Sequence, residues 1–243
     1  MDYNDPKIAA LYDLGNHLDL DAHFYLSLPG HDQSTVLDLG CGTGTLCCAL
    51  AERGHSVTGV DPALAMLSVA RTKRGSETVE WVQSSAQAYR STERFDLVFM
   101  TGNAFQALLS DVDTLAVLDT MRRHLNEGGR VVFDTRNPRL DWVNEWNARS
   151  RTFPGSKIIE TLKVTAADAE FISFETSYRL PDTTLLTRST LRFPSSEHVA
   201  HLINRSGLVL QHVFGDWNST PFDPASSREM IFVAGIAHHQ NPD

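Results

Sequence analysis

Nowhere in this sequence do eighteen apolar residues run together, so it offers no candidate for a membrane-spanning helix. Basic residues are in deficit: 21 Lys and Arg stand against 30 Asp and Glu, a formal net charge of -9. A protein that depends on phosphate-backbone contacts usually carries a basic face, and a nucleic-acid partner is therefore disfavoured. Cysteine is scarce, and Cys41, Cys47 and Cys48 fall within eight positions. Without a second Cys/His pair, that spacing gives neither a disulfide framework nor a zinc site. The thiols read as small apolar side chains in a reducing compartment. The opening MDYNDPKIAALYDLG matches no secretory or transit pattern. There is no internal repeat. These absences predict a cytoplasmic protein with no metal and no membrane.

What is present is a chain of 243 residues, 42% of them hydrophobic, long enough for one large domain or two small ones. Between about residues 34 and 134, short β-branched runs alternate with helical spacing. Strands are predicted at 35–39, 56–60, 79–82, 95–100 and 130–134, and helices at 46–53, 63–73 and 112–125. Asn126-Glu127-Gly128-Gly129 reads as a helix stop. This rhythm predicts an α/β fold, a doubly wound, Rossmann-like and mostly parallel sheet. After Asn137-Pro138 the texture changes to KIIETLKV, EFISFETSYRL and TLLTRSTLRF, separated by Ala-Asp and Pro-Asp turns. Those runs predict an inserted antiparallel β cap over 136–193, roofing the crevice beyond the strand ends. The core then comprises 1–135, including a helical segment at about 5–28, and 194–243. In the second part, Ser195-Ser196-Glu197 caps a helix over 198–204, Gly207 closes it, and strands follow at 208–214 and 229–236.

The sharpest feature is Val36-Leu37-Asp38-Leu39-Gly40-Cys41-Gly42-Thr43-Gly44-Thr45, where the first strand meets its helix. Glycines there let the backbone approach a ligand without Cβ interference. The dinucleotide fingerprint G-x-G-x-x-G fails, because counting from Gly40 and Gly42 its third position falls on Thr45. A P-loop fails too, since no Gly-Lys-Ser/Thr follows. Asp38, at the strand end, is costly beside a pyrophosphate but suits an ammonium group. Asp61 closes the second strand, where an acid can accept hydrogen bonds from both ribose hydroxyls. The two acids together match a nucleoside with a positive tail, the shape of S-adenosylmethionine.

The stretch VLDLGCGTGTLCCALAERGHSVTGVDPALAMLSVAR closely resembles the first two motifs of class I S-adenosylmethionine-dependent methyltransferases. RFDLVFM and HLNEGGRVVFDTRNP are similar to that family's fourth and fifth strands, so the resemblance covers roughly residues 30–140 and implies a seven-stranded sheet. The antiparallel insertion and closing strands resemble small-molecule methyltransferases of the amine and amino-sugar type. Carried onto this sequence, the resemblance implies that Asp38, Gly40, Cys41, Gly42 and Gly44 hold the methionine part. It places Asp61 at the ribose and Pro62 and Met66 near the adenine face. The family often has an acid after the third strand at the adenine amine; here Gln83-Ser84-Ser85-Ala86 stands there, leaving Ser85 and Ala86 for that contact. An N-terminal helix closes over the cofactor in relatives, which puts Tyr12 at the sulfonium end or, equally, in helix packing.

Methyl transfer is an in-line displacement that rests on positioning and desolvation, so no nucleophilic residue is required and a general base only when the acceptor must lose a proton. Met100 and Thr101, with Asn103 after them, are expected to face the methyl group. The Asn/Asp-Pro-Pro-aromatic run common in nucleic-acid amino-methyltransferases is missing there. Tyr12, His23, Asn103 and Tyr178 are the substrate-side candidates. His55, His124, His238 and His239 read as solvated ends. Trp142, Trp146 and Trp217 either line an apolar acceptor pocket or fill the cap's core. Within 136–193 there are nine basic and seven acidic residues, which leaves -11 on the remainder and admits either an anionic substrate or a mixed-charge surface. The reading is methyl transfer from S-adenosylmethionine, with S-adenosylhomocysteine as product, to a small-molecule N or O acceptor. A cofactor-binding sensor and an NAD(P)-dependent oxidoreductase are the alternatives. Oligomeric state is left open, a homodimer included.

Overall fold

The computed structural model describes residues 3–15, 20–30 and 32–237; His238 and His239 lie outside them. Two helices come first, α1 (Pro6–Gly15) and α2 (Leu20–Ser27). The alternating unit follows as β1 (Thr35–Leu39), α3 (Thr45–Glu52), β2 (Ser56–Asp61), α4 (Leu64–Ala70) and β3 (Val79–Gln83). It continues with β4 (Phe95–Met100), α5 (Asp111–Arg123) and β5 (Leu125–Arg136). After α6 (Trp142–Asn147) come β6 (Ser150–Thr152), β7 (Ile159–Ala167), β8 (Phe171–Arg179) and β9 (Thr184–Arg192). The chain then returns through α7 (Ser196–Arg205), β10 (Val209–Phe214) and β11 (Glu229–Gly235).

One sheet has seven strands in the order β10-β11-β5-β4-β1-β2-β3. The five from β5 to β3 are parallel, and β11 runs antiparallel to β5. Both faces are covered, one by a cluster that includes Val117, Leu118, Val199 and Leu202 of α5 and α7, the other by one that includes Tyr25, Cys47 and Leu50 of α2 and α3. That double burial is why FDLVFM and RVVF read as unbroken apolar runs. The second sheet, β6-β7-β8-β9, is antiparallel throughout. Its strands alternate in burial, and Ile172 and Phe174 pack on Trp142 and Trp146.

Several expectations shift. The α4 helix stops at Ala70, not at 73. Asn126-Glu127-Gly128-Gly129 is no helix stop: α5 has already ended, and the four residues form an irregularity inside β5, with Gly128 at φ 76° and a register slip against Phe95 and Leu97. The sequence reading did not resolve α6 and β6. His124 is no solvated end: it is buried, accepts the Ser91 N–H at 3.1 Å and packs on Tyr89. Trp217 packs on Phe24 and Tyr25 in the core, away from the second sheet.

Gly44 caps α3 at φ 70°, and a Cβ there would lie 2.3 Å from Trp81 Cη2 and 2.8 Å from the Ala70 Cβ. Overpacking and the left-handed backbone together predict a loss of about 3 kcal/mol for Gly44→Ala. Urea unfolding checks this, and an unchanged midpoint would mean that Trp81 swings aside at no cost.

Candidate active site

The chain order reverses between β4 and β1. β1 leads outward to β2 and β3, while β4 and β5 build the opposite half. A crevice therefore opens beyond the carboxyl ends of these two neighbours. The glycine loop fills one lip. Its Gly40 and Cys41 N–H groups both donate to the Val60 carbonyl, at 2.7 and 3.0 Å. At Gly42 (φ 55°) the N–H donates to Asp61 Oδ2 at 2.9 Å, and Asp61 Oδ1 takes the Ala63 N–H at 2.8 Å. Asp61 thus ties the loop to the end of β2 while each of its oxygens keeps acceptor capacity. Burial raises its carboxyl pKa, opposed by these two backbone hydrogen bonds.

Behind the loop, Asp38 is 1% exposed. Its Oδ2 accepts the Cys47 thiol at 3.3 Å, and its Oδ1 has no hydrogen-bond partner. Burial pushes this carboxyl up to about 7, and Asp61 and Asp134 add to the rise against the Cys47 hydrogen bond. Asp134, also fully buried, takes the Tyr25 hydroxyl at 2.6 Å on one oxygen and the Asn103 N–H at 2.7 Å on the other; burial lifts it to about 6. Burial likewise lifts Glu229 to about 7. Carboxylates gathered and desolvated in this way make a region short of positive charge. Asn103 itself is left-handed, at φ 60°, and its buried Oδ1 is unpartnered.

A cavity of about 560 Å³ runs from the glycine loop to the second sheet, inside the range of roughly 300–1,000 Å³ typical of ligand sites. It brings together Tyr12, Gly40, Gly42, Asp61, Pro62, Met66, Ser85, Ala86, Met100, Thr101, Asn103 and Tyr178 from the sequence-derived set. Helix α1 lies along its edge. Ile8 and Leu11 pack on Phe153 and Tyr178, Ala9 packs on Ala63 and Met66, and Asp13 pairs with Lys73, whose Nζ also donates to Thr45 Oγ1 at 2.6 Å. Ser85 Oγ accepts its own turn's Ala88 N–H at 3.3 Å.

Four expected residues do not line this cavity. His23 points to solvent, because α2 buries Phe24, Tyr25 and Leu26 instead. Cys41 turns into the core beside Gly59 and Trp81. Gly44 is consumed by helix–sheet packing, and Asp38 sits beneath the loop. The sequence reading also missed residues that do line it. Glu160 is buried on β7, with Arg151 Nη2 at 2.9 Å, Arg149 Nη2 at 3.7 Å and Tyr178 opposite on β8. Arg136 forms a further wall, next to Trp146, which the sequence had offered as a pocket-lining candidate. The available signals were the lone acid in KIIETLKV and the charges closing VVFDTR.

A family model described as a methyltransferase domain matches residues 36–129. The cypemycin N-terminal methyltransferase of a Streptomyces species is 31% identical over 207 residues, 83% of each chain. The chain belongs to the class I S-adenosylmethionine-dependent methyltransferases. Two solved methyltransferases share the fold. The CcbJ methyltransferase from Streptomyces caelestis superposes with a TM-score of 0.80 at 24% identity, covering 98% of this chain and 99% of its own. The S-adenosylmethionine-bound CalS10, an amino pentose methyltransferase from Micromonospora echinaspora, gives 0.68 at 18% identity, over 94% and 95%. This methyltransferase is thus an enzyme that uses S-adenosylmethionine. Its residues fit that cofactor: a buried carboxylate oxygen without a donor at Asp38, next to a carboxylate-tied glycine loop, suits a nucleoside with a cationic tail. Among the described residues no helix is long and apolar enough to cross a membrane, and no cluster of His, Cys, Asp and Glu could hold a metal ion.

Proposed function

We propose that the enzyme methylates an amine or hydroxyl of a small molecule. The observation that carries this reading is the single cavity joining the cofactor lip to the second sheet, with the orphaned Asn103 Oδ1 beside it. In this reading the loop from Asp38 to Gly44 holds the methionine part, and Asp61 holds the ribose. Pro62, Met66, Ser85 and Ala86 flank the adenine. Tyr12, Met100 and Thr101 surround the reacting end. The second sheet, with the connection from 136, serves as a cap that encloses the acceptor, and the enzyme works in the cytoplasm without a nucleic-acid partner.

Bound S-adenosylmethionine supplies an electrophilic methyl on a sulfonium, whose sulfur is left as a neutral thioether. Asn103 Oδ1 accepts an N–H or O–H of the acceptor and so aims its lone pair along the line of attack. Met100, Ala104 and Leu108 present apolar surface that keeps water out. Burial and the facing Glu160 push the Tyr178 hydroxyl well above its usual range, so it stays protonated, and with its proton turned to Glu160 its oxygen is left to accept an N–H or O–H of the acceptor.

The test is release of S-adenosylhomocysteine over a metabolite library of amines and alcohols. Turnover confined to protein or nucleic-acid acceptors overturns the reading. Asn103→Gly, which suits the left-handed backbone, is expected to cut turnover about tenfold or more while leaving the S-adenosylhomocysteine Kd within about twofold. Equal turnover by the variant removes Asn103 from the acceptor.

A further inference from the structure

Arg136 ends β5, two residues beyond Asp134, and its side chain lines the acceptor half of the cavity. Its guanidinium lies beside two indoles, 5.6 Å from the Trp142 ring centre and 5.3 Å from that of Trp146, while Arg228 sits over the same Trp142 ring at 4.7 Å. Among the described residues its one hydrogen bond is donated by Nη1 to Gln106 Oε1 at 2.8 Å, and the fully buried Gln106 is itself held by donating to the Arg192 carbonyl at 2.9 Å. The guanidinium is therefore rigidly posed, and burial pushes its pKa down from the ordinary value. Among the described residues it makes no ion pair.

Glu229, Asp134 and Glu145 act on that cation through space and raise its pKa, against burial and Arg149, but none of them makes a direct ion pair with it. Asp134 spends its two oxygens on Tyr25 and Asn103, and Glu145 is taken by Arg228 at 2.7 and 2.9 Å. Glu229, cross-strand from Arg136, keeps a buried Oε2 without a partner, and its raised pKa leaves it partly protonated near neutral pH. On the cap side Glu160 is answered by Arg151 and Arg149, and Arg149 adds a like charge. A desolvated, stacked guanidinium with free N–H groups is built to receive a planar anion.

The geometry points to an acceptor that carries a carboxylate, held by Arg136 while its amine or hydroxyl sits at Asn103. Asn103 is tied to Asp134, and Arg136 lies two residues further along the same face of the strand, roughly 7 Å away at about 3.3 Å per residue. The carboxylate and the nucleophile are therefore separated by a few bonds. This inference rests on the proposed small-molecule acceptor and deepens it.

The experiment is calorimetry on the full-length enzyme loaded with S-adenosylhomocysteine. The probes are ω-amino carboxylates with one to five methylenes, each paired with its carboxamide. At least one carboxylate is expected to bind tenfold or more tighter than its carboxamide. In Arg136→Gln that gap shrinks to within twofold, with S-adenosylhomocysteine binding unchanged. Arg136→Lys, which keeps the charge but not the stacking, retains a narrowed gap and decides the matter if the Gln variant does not fold. No gap in the unaltered enzyme, a gap that survives either substitution at full size, or no binding along the whole series overturns the assignment. Turnover of carboxylate-free amines together with any of those overturning results would leave the small-molecule reading standing while the Arg136 assignment falls.

Discussion

Asp61→Ala is expected to weaken S-adenosylhomocysteine binding about a hundredfold, roughly 3 kcal/mol. The carboxylate does two jobs at the end of β2. Its oxygens anchor the Gly42 and Ala63 N–H groups, and their remaining lone pairs face the cavity that the proposed function gives to the ribose. Alanine loses the charge-assisted hydrogen bonds to the nucleoside and leaves two backbone donors without partners. Asp61→Asn keeps one carbonyl acceptor and is expected to fall between alanine and the native residue. Calorimetry on folded variants measures this. A Kd within twofold of the native value for Asp61→Ala would remove Asp61 from the cofactor site.

Cofactor affinity is expected to rise with pH through the neutral range, and binding is expected to expel a proton. Asp38, lifted to about 7 by burial, is largely protonated below neutrality in the free enzyme. An ammonium beside it favours the carboxylate, so the proton leaves as the cation arrives. The stability of the free enzyme runs the other way. Its folded Asp38 keeps a proton that the unfolded chain, titrating near 3.8, gives up, so this contribution is fully present below about pH 3.8, declines as pH rises above that and is lost as pH passes through about 7. Asp134, at about 6, and Glu229, at about 7, have the same sign. Calorimetry at pH 6.5 in two buffers of different ionisation heat reads the proton directly. A buffer-independent enthalpy, or the same proton release in Asp38→Asn, would show that Asp38 is not the linked group.

Much of the site was legible because parallel-sheet enzymes concentrate ligand contacts at strand ends, and strand ends are visible in sequence as punctuation. VLDLGCGTG and TGVDP mark two adjacent turns, and the pairing of β1 with β2 brings them together. The same argument predicted Met100 and Thr101 from the end of FDLVFM. His23 lies away from the cavity, and a short helix offers no sequence signal for which side faces a distant pocket. Cys41 and Gly44 do not line the cavity because a ligand loop also has to pack, and Trp81 occupies the space behind Gly44 and Gly59. Glu160, Arg136 and Asp134 were passed over because nothing local separates them from the other charges on β5 and β7. Whether such a residue is solvated, paired or left unpaired depends on chain far away.

Local chemistry alone determined the alternation of strand and helix, the glycine turn with its two acids, the antiparallel texture of residues 156–193 and the Ser195 cap of α7, whose hydroxyl takes the His198 N–H at 3.2 Å. Those features depend on backbone periodicity and on partners a few residues apart. Only the tertiary structure decided which carboxylates are buried without a direct ion pair, that Tyr25 meets Asp134 across 109 positions, and that Arg136 stands beside two tryptophans and makes no ion pair among the described residues. The physical reason is desolvation. The cost of a buried charge is set by everything packed around it, and that environment exists only once both sheets have closed on the cavity.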